Sequence, residues 1–286
     1  AQAVLWSTFA LEMFWIVSVW LQARVPGAPA GTTRWVKARV AGGRLLRIIF
    51  SRRLGSLLRI LVADGLLHRR LAQTDHRRWM AHILLLGSWL ALGSLSTVTG
   101  VAVEILPILG LSADETAAIP LLGGLLHADV WWVALLNETL GVLMLLGMGL
   151  VLFRRYVRRD PQLRTSPADT LVLAMLASIA LSGFPTETFR LLADYTTPAG
   201  LFAPDPSKLP ADAFPAALHD AWGPAWGVLG YQSAQLLGKL EIDSGIWRVA
   251  HNLAFWIHFA TCAVLVYTLP FSRFFHAIMS PMVVAY

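Results

Sequence analysis

The sequence predicts an all-α integral membrane protein, a bundle of about five transmembrane helices with amphipathic helices at the membrane interface. Three observations lead to this fold class. Of the 286 residues, 56% are hydrophobic and only 14% are charged, whereas a soluble domain carries roughly 25% charged residues. Five apolar segments approach or reach the length that crosses a bilayer, about 20 residues. The basic residues are concentrated in alternate connections between these segments.

The five apolar segments define the expected spans of a single membrane domain, 1–286. They run over about 3–21, 80–103, 130–153, 170–184 and 249–271. The first lacks a basic n-region and a cleavage site, so we interpret it as a retained helix rather than a signal peptide. The fourth is short and is expected to end at Pro185. Two more segments, 105–125 and 213–237, are apolar but rich in Gly and Pro, and we expect surface or interfacial helices there.

The distribution of charge predicts the orientation. Of the 23 Lys and Arg residues, 13 lie in the segment 24–78, five lie between residues 154 and 164, and one is Arg273. Five spans put all of these on one face, opposite the long connection 186–247. The positive-inside rule then predicts an inner-membrane, multi-pass protein with its N-terminus outside and its C-terminus in the cytoplasm.

The stretch 44–71 is both basic and amphipathic. One interpretation is a helix that lies on the anionic inner leaflet of the bilayer. Another is a docking surface for a cytoplasmic partner. No nucleic-acid partner is expected, and no internal symmetry indicates a transporter.

Ionisable side chains inside spans are costly, so each one is a functional candidate. The chain has a single cysteine, Cys262. It therefore cannot form an internal disulfide or hold an iron–sulfur cluster or thiolate zinc site alone, and histidine remains as the ligand for any metal. The candidates are His82, His258 and His276, with His251 opening the fifth span and His127 preceding the third.

The spacing of the histidines suggests how they are placed. His258 and His276 are 18 residues apart, which is five helical turns, so they share a helix face about 27 Å apart. His82 follows Arg78 closely and His276 follows Arg273 closely, so both are expected near the cytoplasmic surface, where they could face each other. Two imidazoles from facing helices can hold a haem iron. The alternative is that these histidines contact headgroups and water at the interface.

Part of the last apolar segment resembles a known family. Residues 258–281, HFATCAVLVYTLPFSRFFHAIMSP, resemble the last helix of the gamma subunit of respiratory nitrate reductase. They are also similar to the cytochrome b subunits of heterodisulfide reductase and of the dissimilatory sulfite-reductase-associated complex. In that superfamily a second histidine follows the first after 18 residues, in a Pro-Phe/Tyr-Ser-Arg/Lys-x-x-His context. Residues 76–94, 152–165 and 181–192 resemble the second helix, the loop after the third and the end of the fourth, in the family's order.

The resemblance implies two b-type haems. By matched position, His82 and His276 would bind the haem nearer the cytoplasm, and His258 would bind the second. In the nitrate reductase branch the partner of that second ligand lies where this chain has Leu92, which cannot ligate iron. The second haem is therefore either absent or bound by another residue, for which the candidates are His127, His251 and, more weakly, Met144 and Met148.

Carboxylates in or near the spans could handle protons at a quinol site. The candidates are Glu12, Glu138 and Glu187; the alternative is a carboxyl group hydrogen-bonded within the bundle or at its surface. In related nitrate reductase subunits the quinone site lies near the outer haem. We therefore expect it near the outer ends of the second, third and fifth helices, with Glu138 or Glu187 as the acid.

The resemblance implies a membrane cytochrome b of a respiratory chain. It would carry electrons, in either direction, between menaquinone or ubiquinone and a cytoplasmic iron–sulfur subunit, as the quinone-reactive part of a larger oxidoreductase. The alternative is a cofactor-free membrane anchor that docks a cytoplasmic redox enzyme.

Overall fold

The computed structural model describes residues 2–23, 25–51, 54–112, 115–116, 118–119, 125, 130–160, 166–197, 200–201, 223–240 and 242–271. These residues are mainly helical, which confirms the predicted all-α fold class. His127, Lys208, Arg273 and His276 lie outside the described residues. Contacts divide the chain into two compact units, one formed mainly by residues 3–83 and 266–286 and the other by residues 84–265.

The first unit begins with helix α1 (Gln2–Trp20). Lys37 closes the end of this helix, since its Nζ donates to the carbonyls of Gln22 (3.1 Å) and Ala23 (2.8 Å), and a cation suits a helix C-terminus. The ring of Trp15 contacts that of Phe271, with centroids 6.2 Å apart.

The basic stretch of the first unit is divided among three helices. Helix α2 spans Arg34–Ile49, α3 spans Leu54–Ile60 and continues as a π-helix over Leu61–Leu66, and α4 spans Arg69–Thr74. The interpretation of 44–71 as one helix is therefore corrected. Between α3 and α4, His68 adopts a left-handed backbone (φ 48°, ψ 45°), and this reverses the chain where a continuous helix was expected.

Helix α5 is one continuous helix over His76–Ile108. Asp75 caps its first turn by accepting a hydrogen bond from the backbone N–H of Arg78 at 3.0 Å, as an acidic N-cap residue does. Two π-helical turns widen the helix, at Ile83–Gly87 and Val101–Ile105. Such turns inside α-helices are frequent at functional sites.

The second unit contains the rest of α5 and the elements that follow. Helix α6 spans Trp131–Leu152 and continues as a π turn over Phe153–Val157, and α7 spans Pro167–Tyr195. The short strands β1 (Thr196–Thr197) and β2 (Gly200–Leu201) pair antiparallel. A 3₁₀ turn at Gly223–Trp226 leads to α8 (Val228–Gly238), and α9 (Ser244–Thr268) ends in a 3₁₀ turn at Leu269–Phe271.

Four helices of the described part are long and apolar enough to cross a membrane: α5, α6 with its π turn, α7, and α9 with its 3₁₀ turn. They contain the second to fifth predicted spans. The 19-residue α1 corresponds to the first, so the prediction of a bundle of about five spans is confirmed. Helix α9 exposes large apolar side chains such as Leu253, Trp256 and Ile257, as expected for a surface that contacts lipid.

The fourth span differs from the prediction because α7 continues through Pro185 to Tyr195. A proline is tolerated inside membrane-spanning helices. Beside Pro185, the hydroxyls of Thr186 and Thr188 donate to the carbonyls of Ser182 and Phe184, both at 2.9 Å. The expected end of the helix at Pro185 is therefore wrong.

The core of the second unit has two parts. Where α5 meets α6, Gly147 lies directly against the backbone of Leu84 and Leu85. On the other side, Leu191 and Leu192 of α7 and Ala234 of α8 pack with Trp247 of α9 in one buried cluster. Helix α8 is thus a surface helix that packs on α7 while exposing Leu229 and Leu236, as expected for the segment 213–237.

Candidate functional site

His258 lies on α9 and faces α7. Its Nδ1 is 2.9 Å from Ser182 Oγ, and Ser182 also donates to the carbonyl of Ile179 at 3.3 Å. Because the hydroxyl hydrogen of Ser182 points at the Ile179 carbonyl, the Ser182 oxygen accepts a hydrogen bond from the N–H at His258 Nδ1. The lone pair of the His258 ring is then on Nε2. That nitrogen is 3.7 Å from Cys262 Sγ, one turn further along α9.

This environment fits a metal-ligating imidazole. A ligating histidine usually donates its second ring N–H to an oxygen, which fixes its tautomer and orientation, and Ser182 provides that oxygen. The neighbouring residue of α7 is Gly183, where a Cβ would lie 3.7 Å from Cε1 of His258. The ring therefore lies beside a residue without a side chain. Sequence reasoning missed Ser182 because its partner is 76 residues away.

His251 lies on the same face of α9 as His258. The two are seven residues apart, which is two turns or about 10 Å. The Nδ1 of His251 donates to the carbonyl of Thr186 on α7 at 3.1 Å. Two rings on one face of one helix would not hold a single haem iron between them. His251 is thus disfavoured as the partner of His258.

The two methionines considered as weaker ligands, Met144 and Met148, are both buried on α6. They flank Gly147, where α6 meets the π turn of α5. Methionine commonly fills such core positions, and the structure gives these two a packing role. Leu92, at the position where the nitrate reductase branch has a histidine, lies on α5.

His82 belongs to the first unit and contacts another histidine. Its Nε2 is 3.2 Å from Nε2 of His68, and the ring centroids are 4.3 Å apart. An iron that binds His82 through Nε2 requires this nitrogen to turn away from His68. Sequence reasoning missed His68; the signal that could have found it is the repeated triplet His-Arg-Arg at 68–70 and 76–78.

The carboxylates of Glu138 and Glu187 both adjoin the first turn of α8. Oε1 of Glu138, on α6, accepts a hydrogen bond from the backbone N–H of Leu229 at 2.7 Å. Glu187, on α7, lies so close to Gly230 that a Cβ there would be 3.0 Å from its Cγ. A helix N-terminus stabilises negative charge, and Arg190 pairs with Glu187 at 2.7 Å. The structure therefore brings these two predicted carboxylates to one place.

Glu12 belongs to α1 in the first unit. Its two carboxyl oxygens are buried and have no hydrogen-bond partner in the described part of the chain. Those same residues contain no cluster of three or more His, Cys, Asp or Glu side chains that could hold a metal ion. The histidine sites are thus single imidazoles or pairs.

These features define a multi-pass helical membrane protein with histidines and carboxylates on its long apolar helices. The chain is similar to one of the subunits of dihydromethanophenazine:CoB–CoM heterodisulfide reductase. It is 27% identical over 164 residues to this protein from Methanosarcina thermophila, covering 57% of the chain and 54% of the relative. It is 28% identical over 163 residues to the protein of the same description from Methanosarcina barkeri, covering 57% and 55%.

A third relative is the EtfAB:quinone oxidoreductase of Syntrophomonas wolfei, 25% identical over 163 residues, which are 56% of the chain and 20% of the relative. The chain spans about half the length of the two heterodisulfide reductase proteins. No family model and no solved structure matches it. The relatives confirm the predicted resemblance: the chain is a membrane protein similar to a heterodisulfide reductase subunit and to a quinone oxidoreductase.

Proposed function

We propose that the chain is a membrane cytochrome b subunit that transfers electrons between the quinone pool and a cytoplasmic iron–sulfur subunit. The observation that carries this proposal is its similarity to both a heterodisulfide reductase subunit and a quinone oxidoreductase. Bound b-type haem would supply one-electron transfer. The residues of the chain would supply the imidazoles that hold the haem, the spacing between them and an apolar surround.

His82 and His276 are the proposed ligands of the haem nearer the cytoplasm, and His258 is the proposed ligand of a second haem. His82 lies near the beginning of α5, and His258 lies in the middle of α9. The hydrogen bond from His258 to Ser182 supports the second assignment, because it orients the ring and leaves Nε2 for iron. With His251 disfavoured, His127 is the remaining histidine candidate for the other ligand of that haem.

The proposed quinone site lies beside the first turn of α8. Glu138 is the first candidate for the acid that exchanges protons with menaquinone or ubiquinone, and Glu187 is the second. Both adjoin Leu229 and Gly230, and a positioned carboxylate can accept a proton from a quinol hydroxyl.

In the proposed orientation the N-terminus lies outside and α2 to α4 lie at the cytoplasmic surface. These basic helices are then available to the anionic leaflet and to the soluble partner. The second candidate function, a cofactor-free anchor, rests on the contact between His82 and His68, which occupies the nitrogen that iron needs.

The test is the haem content of histidine variants, measured by reduced-minus-oxidised difference spectra. His82→Ala and His276→Ala should each remove one haem, because an alanine offers no axial ligand, while the protein still inserts in the membrane. His258→Ala should leave that haem in place. The matched control is His76→Ala. His76 is another histidine at the beginning of α5, and its ring lies next to that of Trp79. Full haem content and an unchanged low-spin spectrum in His276→Ala would leave the anchor as the better account.

A further inference from the structure

The contact between His68 and His82 joins residues that a regular helix would keep apart. Fourteen residues of continuous helix would separate them by about 21 Å. Instead, the left-handed residue His68 and the extended residue Asp75 turn the chain back on itself. The two Nε2 atoms come within 3.2 Å, and the rings meet edge to face at 76°.

The turn at His68 is fixed to α5 by a hydrogen bond. The indole N–H of Trp79 donates to the carbonyl of Leu67 at 2.7 Å and fixes this turn to α5. His68 itself has φ 48°, a conformation that is uncommon outside glycine and is concentrated at functional sites.

The tautomer of His68 follows from its hydrogen bond. Its Nδ1 is 2.9 Å from the carbonyl oxygen of Leu66. A carbonyl only accepts, so Nδ1 carries the hydrogen and the neutral ring has its lone pair on Nε2. An imidazole that donates one N–H to a backbone carbonyl and offers the other nitrogen is the usual form of a metal-ligating histidine.

The distance between the two nitrogens suits two ligands of one metal ion. Zinc binds imidazole nitrogen at about 2.0–2.1 Å. Two nitrogens 3.2 Å apart then subtend an angle of about 103° at the metal, which is near the tetrahedral value. The nearby cations Arg69 and Arg70 are paired with Asp64, at 3.3 and 3.9 Å, and this pairing reduces their repulsion of a metal ion.

We propose that His68 and His82 form a binding site for a divalent transition-metal ion of the zinc class. No third His, Cys, Asp or Glu completes a cluster with them among the residues that the structure describes. Water fills the other coordination positions in this proposal, and such a site exchanges its ion readily. It is therefore a site for a regulatory ion and not for a structural one.

The zinc site also affects haem binding at His82, an inference that rests on the proposed function. In the 3.2 Å contact His68 Nε2 accepts and His82 Nε2 donates, so a metal can bind His82 Nε2 only after this proton has moved to Nδ1 or to water. That nitrogen then offers one lone pair, so zinc and haem iron cannot bind it together. Zinc at His68 and His82 therefore competes with haem insertion at His82.

The test is a zinc titration of the whole haem-free protein in detergent, with isothermal titration calorimetry as the readout. The wild type and the control His76→Ala should each bind one zinc ion at this site. His68→Asn and His82→Ala should lose at least tenfold in affinity. Asparagine is chosen because it tolerates the left-handed conformation, so the turn is kept. His68→Asn with wild-type zinc affinity would overturn the proposal.

A second arm adds haem to protein with and without zinc and measures the absorbance of bound haem. Zinc should suppress haem uptake in the wild type and leave His68→Asn unaffected. Equal uptake with zinc bound would overturn the competition. Loss of haem in His68→Asn without zinc would make His68 a haem ligand and also overturn the proposal. If no variant takes up haem, the proposed cytochrome function fails, while the zinc titration still decides the metal site.

Discussion

Glu138 lies on an apolar spanning helix, yet its carboxylate has a defined partner. It accepts the backbone N–H of Leu229 at the beginning of α8, where the helix dipole and unpaired N–H groups stabilise an anion. Such a carboxylate is held in position beside a second one, Glu187. This arrangement suits a proton acceptor, because the surrounding structure fixes the position of the carboxylate.

The substitution Glu138→Gln separates the two roles of this residue. The amide oxygen of glutamine can still accept the N–H of Leu229, so α8 keeps its contact with α6, but the group no longer takes a proton. Quinol oxidation should fall on the order of a hundredfold, the usual contribution of a general base, with little change in thermal stability. Stopped-flow reduction of the protein by quinol measures this rate.

A suitable control for Glu138 is Glu115→Gln. The backbone N–H and the hydroxyl of Ser112 donate to Glu115 and hold its pKa below its ordinary value. It is thus an ionised carboxylate outside the spans, and its loss should leave the rate unchanged. If Glu138→Gln and Glu187→Gln both oxidise quinol at the wild-type rate, neither carboxylate accepts the proton.

The sequence predicted which residues are unusual but not what they contact. His258, Glu138 and Glu187 are recognisable as polar groups in or near apolar segments. Their partners Ser182, Leu229 and Gly230 lie on other helices, 76, 91 and 43 (230 − 187) residues away, so helical spacing cannot reveal them. His68 was missed because its contact depends on one left-handed residue, and local propensity does not specify that conformation.

At the scale of helices, apolar length was the reliable signal. The second to fifth predicted spans lie within α5, α6, α7 and α9. The two errors have a common cause. A proline and a basic amphipathic pattern indicate only local preference. Tertiary contacts decide that α7 passes through Pro185. They also decide that α2, α3 and α4 are separate helices.

The contact of α5 with α6 depends on the absence of a side chain at Gly147. A Cβ there would lie 2.7 Å from the carbonyl carbon of Leu84 and 2.9 Å from its Cβ. Gly147→Ala should therefore lower the free energy of unfolding by about 1–3 kcal/mol, as overpacking does. Denaturant titration in detergent, with helicity as the readout, measures this.

Gly149 provides the matched control on the same helix. A Cβ at Gly149 would meet nothing within 4 Å. Gly149→Ala should leave stability unchanged or raise it by about 0.5–1 kcal/mol, since alanine favours helix over glycine. If Gly147→Ala is as stable as Gly149→Ala, the close approach of α5 and α6 is incorrect.

For the molecule as a whole, the distribution of charge makes a prediction about sidedness. In a Cys262→Ala background, single cysteines at positions 155 and 273 should react only from the cytoplasmic side, and one at 208 only from outside. Membrane-impermeant thiol reagents applied to intact cells and to inverted vesicles measure this. A residue 155 that is labelled from outside would contradict the proposed orientation.

We propose that this protein holds b-type haem that exchanges electrons with quinone. The decisive measurement adds quinol, without oxygen, to the protein purified from haem-replete cells and records its visible spectrum. We expect a low-spin b-type spectrum whose reduced bands appear on addition of quinol and which loses the contribution of one haem in His82→Ala. A wild-type protein that is folded, inserted and free of haem absorbance would contradict the claim and leave a cofactor-free anchor.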